Sequence, residues 1–158
     1  MRVPPTTPHH AVRSALWNLV KIKPGTAEDC PTCGQTVCVR RRPLNAGQAR
    51  SMVRLYQLDP EGTGQFFHLP TQVGSRDREE GKLRHWGLLE EEHVVRPDGG
   101  RAGYWRLTTK GRRFVRGAIR VPRHALIYNR RCLGLDDTEH VDIHDVLGHP
   151  FDLRELQA

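Results

Sequence analysis

The sequence predicts an α+β protein in which a helix feeds directly into a β-hairpin, with a cysteine knuckle ahead of this core and a second hairpin and short helix behind it. Three stretches carry that prediction. In residues 82–90, Leu83 and Trp86 share one helical face, and Gly87 stands where a left-handed cap residue costs least, so the helix turns straight into a strand. Residues 88–95 and 103–107 read as two strands, and the Pro, Asp and Gly chemistry of 96–102 reads as the exposed loop between them. Cys30-Pro31-Thr32-Cys33-Gly34 has the form of a zinc knuckle.

Taken in order, residues 1–10 are a Pro- and Thr-rich terminus, and 11–21 have helical apolar spacing that ends before Pro24-Gly25. After the knuckle, 37–42 read as a strand. Asn45 caps a helix over 46–58 that turns Ala49, Met52, Val53 and Tyr56 inward and Arg50 and Arg54 outward. A loop over 59–64 leads to a short strand at 65–69 and a brief second helix at 70–74. Ser75 then caps a third helix, 76–86. After the hairpin, Thr108 or Thr109 caps a short helix that buries Phe114, Val115 and Ala118. Helix, strand, glycine-rich wing, strand and capped helix is the order of a winged-helix domain. Behind it, 125–128 and 132–135 read as paired strands turning at Asn129 and Arg130. Residues 141–148 read as a short helix with Ile143, Val146 and Leu147 inward and Gly148 as its stop. The expected organisation is a winged helix-turn-helix core (44–118) with an N-terminal zinc-knuckle extension (1–43) and a small C-terminal β-hairpin and helix extension (119–158).

The knuckle predicts bound zinc, because its tight turn aims the thiolates of Cys30 and Cys33 at one ion and Gly34 lets the backbone fold beneath the second sulfur. No second Cys-x-x-Cys pair completes the tetrahedron. The remaining ligands fall to Cys38, Cys132 or a histidine, with His68 the most suitable by position. Cys38 reads equally as a small strand residue, and His68 as an ordinary core or surface histidine. His140, His144 and His149 alternate with exposed acids and read as surface residues.

The formal net charge is +7, and its distribution is uneven. Residues 101–131 carry ten basic side chains and no acidic one, while 132–158 carry seven acids against Arg154 alone. A preference for Arg over Lys follows from a GC-rich genome, but 31 residues without an acid do not, and they predict a surface that faces phosphate. The phosphate contacts expected are Arg101, Arg106, Lys110, Arg112, Arg113 and Arg116. The third helix is a poor groove reader by contrast: Asp77, Glu79 and Glu80 are expected at its exposed positions, and Gly81 costs about 1 kcal/mol of helix stability. No apolar run approaches the roughly 18 residues of a bilayer span, and the start lacks a signal peptide's apolar middle, so a soluble protein of the cytoplasm is expected. No nucleophile triad, phosphate loop or spaced carboxylate pair suggests an enzyme.

The segment "LRHWGLLEE…GYWRLTTKGRRFVRG" resembles the winged-helix end of many small DNA-binding regulators. Together with "CPTCGQTVCVRRRPLNAGQARSMVRLYQL", "VPRHALIYNRR" and "VDIHDVLGHPFDLREL", it is similar to small winged-helix proteins with a Cys-Pro-x-Cys zinc knuckle encoded by tailed bacteriophages and prophages. That resemblance covers about residues 28–156 and implies a phage origin, the cytoplasm of a host cell and a shared fold, but no established role. The residues themselves predict a zinc-containing protein that binds nucleic acid, duplex DNA above all, as a regulator of transcription would. The alternative is a module that docks on a host protein, such as polymerase or a defence enzyme, without binding DNA.

Overall fold

A computed structural model describes residues 27–29, 34, 36–74, 79–94, 97, 103–128, 130–150 and 152. The helix expected over 11–21, together with Cys30, Cys33, Asp77 and Arg101, lies outside these residues. The protein is α+β, with three small antiparallel sheets and short helices.

Strands β1 (Ala27–Asp29) and β2 (Thr36–Cys38) pair so that Ala27 faces Cys38 and Asp29 faces Thr36. The strand expected over 37–42 is split: buried Val39 separates β2 from β3 (Arg40–Pro43), and the two halves join different sheets. Asn45 opens α1 (Ala46–Leu58) with a reciprocal cap, its side chain accepting from the Gln48 N–H (2.9 Å) while the Gln48 side chain accepts from the Asn45 N–H (3.1 Å). The helix buries Ala49, Met52, Leu55 and Tyr56 and leaves Arg50 and Arg54 exposed. It ends where Pro60 disfavours helical backbone at Asp59, and the Asp59 carboxylate collects the N–H groups of Thr63 (2.8 Å) and Gly64 (3.2 Å) to close the loop.

Strand β4 (Phe67–His68) is followed by one π-type turn, Leu69–Val73, stopped by Gly74 at φ 76°. The third helix is not an α-helix where it is described: Glu79–Trp86 is a 3₁₀ helix. At three residues per turn, positions three apart eclipse, so Glu80, Leu83 and Trp86 form one ridge, and all three are buried. An α-helix would rotate that ridge by about 60° at every third residue and swing one of them outward. Gly81 lies against Trp105, where a Cβ would sit 3.3 Å from the indole. Gly87 stops this helix at φ 68°, as its sequence position predicts.

Strands β5 (Leu89–Glu91) and β6 (Tyr104–Leu107) form a sheet with β4 in the order β4-β6-β5, with Leu89 opposite Leu107 and Phe67 opposite Trp105. The Thr108 hydroxyl caps α2 (Thr109–Val115) by accepting from the Gly111 N–H at 3.0 Å. Phe114 and Val115 are buried as expected, but Ala118 is exposed, because α2 ends at Val115 and Gly117 turns the chain at φ 72°. Strands β7 (Val121–Tyr128) and β8 (Arg131–Val141), with β3 on the far side of β7, make the third sheet. Pro122 is tolerated in β7 because it lies beyond the β3 pairing, which reaches only His124, and its carbonyl accepts the Trp86 indole N–H at 2.7 Å. Asp142 caps α3 (Ile143–Leu147), and Gly148 stops it at φ 80°. Val121, Ala125, Val141, Ile143 and Val146 join the same buried cluster as Met52, Leu83, Trp86 and Phe114, so one core underlies both the middle and the C-terminal segments.

Candidate nucleic-acid interface and metal residues

The structure divides the expected phosphate contacts into groups spent on the fold and groups left to solvent. Arg106 is half-buried: it pairs with Glu90 across the sheet, donates to the Gly64 carbonyl (2.9 Å) and stacks over Phe66. Arg112, expected to be exposed, is also half-buried. Its guanidinium donates to the Asp59 carbonyl (2.6 Å) and the Pro60 carbonyl and covers the Tyr56 ring, because the 59–64 loop folds back onto α2. Burial works to raise the Asp59 carboxyl's pKa, but hydrogen bonds from Thr63 and Gly64 and the Arg112 charge outweigh it and hold it below its ordinary value. Lys110 and Arg116 are exposed but anchored, Lys110 to the Trp86 carbonyl (2.9 Å) and Arg116 to the Tyr56 hydroxyl (3.0 Å). Arg113 is exposed, with no hydrogen bond or ion pair to another described residue. Arg101 lies outside the described residues.

The third helix offers still less to a groove than its acids suggested. Glu79 is half-buried and bound through both oxygens to Lys82 (2.6 and 2.7 Å). Glu80, expected at an exposed position, is 6% exposed: Oε1 accepts from the Ser51 hydroxyl (2.9 Å), and Oε2 is buried without a partner. The helix is wedged between α1 and the third sheet, and Arg84 is the one exposed side chain among its described residues.

Part of the uneven charge of the sequence is cancelled in space. Acidic β8 runs antiparallel to basic β7, so Arg123 meets Glu139 (2.6 Å) and Arg120 meets Asp142 (3.2 Å) and Asp145 (3.0 Å). Arg41, reaching over from β3, meets Asp136 (2.9 Å). Hydrogen bonds from Thr138, then the Arg41 charge, hold Asp136 below the ordinary carboxylate range, and the Asp142 N–H, then Arg120, do the same for Asp145. Burial, then Arg41, lowers the pKa of His124 beside them. Of the expected basic side, Arg120 and Arg123 are thus paired with the acidic segment and are not free for phosphate.

The described candidates for zinc, Cys38, His68 and Cys132, lie in three different sheets. Cys38 sits opposite Ala27, at the end of the β1–β2 pair away from Asp29 and Thr36. His68, in β4, is hydrogen-bonded through Nδ1 to the Thr71 hydroxyl (2.8 Å) and packs against Tyr104, and Cys132 lies in β8 opposite Ile127. Among the described residues no group of three or more His, Cys, Asp and Glu side chains converges. Cys30 and Cys33 lie outside those residues, whereas Gly34 adopts φ 72°, the left-handed conformation that the knuckle turn demands.

Sequence reasoning missed a groove of about 200 Å³ between β3, the start of α1 and the 3₁₀ helix, lined by Arg42, Asn45, Lys82 and His85 above Pro43, Trp86 and Ile127. These residues are 85 positions apart at their extremes, from Arg42 to Ile127, and only the pairing of β3 with β7 brings them together. No helix among the described residues is long and apolar enough to cross a membrane. No family model, curated protein or solved structure matches the chain.

Proposed function

We propose that the chain is a zinc-containing winged-helix protein that binds nucleic acid, duplex DNA in particular, through its phosphates and without reading base sequence. The observation that carries this reading is the charge left over once internal pairs are set aside: Arg40, Arg42, Arg50, Arg54, Arg84, Arg113, Arg130 and Arg131 are exposed, and their side chains make no hydrogen bond or ion pair to another described residue. Cations of that kind release counterions from a phosphate backbone at little desolvation cost. The winged-helix assignment is supported by the order α1, β4, two short helical turns, β5, loop and β6, with β6 between β4 and β5. A third helix with Arg84 alone exposed among its described residues favours phosphate gripping over groove reading. The phage origin and the host cytoplasm remain part of the proposal.

Arg84→Glu combined with Arg113→Glu tests it, since neither side chain has a partner to lose. Affinity for duplex DNA should fall steeply, and the plot of log affinity against log salt should become shallower by roughly one unit for each contact removed. A wild-type affinity that is absent at low salt, or indifferent to salt, overturns the reading.

Zinc is proposed to be held by Cys30 and Cys33, with the left-handed Gly34 as support. Such a site stabilises the fold directly, because it does not exist in the unfolded chain. Cys30→Ser should lower bound zinc and melting temperature together. Elemental analysis that finds no stoichiometric zinc in protein purified without chelator removes this part of the proposal.

Docking on a host protein is the second reading, since the third helix, with Arg84 its one exposed described residue, is poorly placed to read a groove. Val94 is the one large apolar side chain exposed among the described residues, so such a partner would be gripped by charge. Capture of a host protein that survives nuclease treatment and is lost in Glu79→Arg would decide for it.

A further inference from the structure

We propose that the groove between β3, the start of α1 and the 3₁₀ helix is a binding site for a phosphate group, with Arg42, Lys82 and Asn45 as its donors and an apolar floor for the body that carries the phosphate.

The sheet geometry explains why Arg42 faces this groove. Cross-strand partners share a face and neighbours alternate, so Arg42, opposite Ala125, lies on the side that meets the core, whereas Arg41 turns to the other face and pairs with Asp136. Arg42 is exposed and makes no hydrogen bond or ion pair to another described residue, although it stands at the rim of a concavity. Across the groove, Lys82 spends two of its three N–H donors on Glu79, the one carboxylate in the lining, and retains the third. Asn45 commits its side-chain oxygen to the Gln48 N–H, which leaves its amide N–H₂ to donate. With Glu79 already matched by Lys82, Arg42 leaves the lining with an unbalanced positive charge. Pro43, Ile127 and Trp86 supply the apolar part of the lining.

His85, also in the lining, senses the field. Burial, then the Arg84 and Lys82 charges, lowers its pKa below 6.5. The charged groups around it are Arg42 from β3 and Glu79, Lys82 and Arg84 from its own helix, while Asn45, Gln48 and Ile127 bring none from α1 and β7. A phosphate dianion in the groove would offset those cations and move the His85 pKa upward.

The experiment follows the His85 ring by NMR in the full chain, assigned with His85→Gln, during titration with inorganic phosphate at constant ionic strength. The expected result is a saturable shift with a higher His85 pKa, weakened about tenfold or more in Arg42→Ala, which removes a charge-assisted donor without touching the core. No saturation by about 20 mM phosphate, ample for a millimolar site, overturns the proposal, as does a shift that persists unchanged in Arg42→Ala combined with Lys82→Ala. Competition distinguishes the sources of the phosphate. Displacement by a 5′-phosphorylated but not a 5′-hydroxyl oligonucleotide identifies a nucleic-acid end, equal displacement by both identifies the internal backbone, and displacement by a mononucleotide alone identifies a free small molecule. All three outcomes support the groove. The site does not depend on the duplex-binding reading: a His85 response without affinity for duplex DNA would sink that reading and leave the groove standing.

Discussion

Gly111→Ala is expected to destabilise the protein by roughly 3 kcal/mol or more, although alanine is the better helix former by about 1 kcal/mol. A Cβ on Gly111 would lie 2.1 Å from the Leu88 carbonyl oxygen and 3.1 Å from Leu107 Cδ2. The obstruction is backbone, which has no rotamer to give way. The same carbonyl accepts the Thr108 N–H at 3.1 Å, so moving it aside also disturbs the turn into α2 and the Leu89–Leu107 pairing next to it. Steric overlap therefore exceeds the propensity gain. In a chain of this size the loss corresponds to a fall in melting temperature of about 6–12 °C. Thermal or urea unfolding that places the variant within about 1 kcal/mol of wild type would refute so close an approach of α2 to the start of β5. Because α2 carries Lys110, Arg113 and Arg116, its seating also fixes where those cations point.

Glu80→Arg and Glu79→Arg, adjacent and chemically identical changes, should differ sharply. At position 79 the side chain is 42% exposed and its ion pair with Lys82 is a surface one, so reversal should cost no more than about 1 kcal/mol. At position 80 a guanidinium would enter a site whose only side-chain partner is the Ser51 hydroxyl, at a cost of roughly 3–5 kcal/mol. Glu80→Gln should stay within about 1 kcal/mol of wild type, since it keeps the shape and an oxygen for Ser51 to donate to. Chemical denaturation of the three variants tests the assignment, and equal stabilities for Glu79→Arg and Glu80→Arg would show that Glu80 is not buried. For charge reversal only Glu79 is then suitable for probing a protein partner, because lost binding in Glu80→Arg would be confounded with lost stability.

The consequence for function lies in how few of the expected phosphate contacts remain available. A binding defect in Arg112→Glu would confound affinity with the loss of two carbonyl bonds to the 59–64 loop, whereas Arg84 and Arg113 carry no such structural duty.

What the sequence by itself determined was the punctuation of the chain. The cap at Asn45, a threonine cap at 108 or 109, the stops at Gly87 and Gly148 and the helix end before Pro60 were all legible, because each depends on bonds or torsions within a few residues. The sheet order, the fate of the charges and the third helix's 3₁₀ winding were decided by tertiary structure. Glu80 read as a surface acid because its charge favours solvent, whereas in the fold it shares the buried ridge of Leu83 and Trp86 and meets the Ser51 hydroxyl of α1. Arg106, Arg112, Arg120 and Arg123 read as free cations because their partners, Gly64, Asp59, Asp142 and Glu139, are brought near by loop closure and strand register, which leave no local trace. Composition counts charges, but desolvation and pairing decide which of them a phosphate can meet.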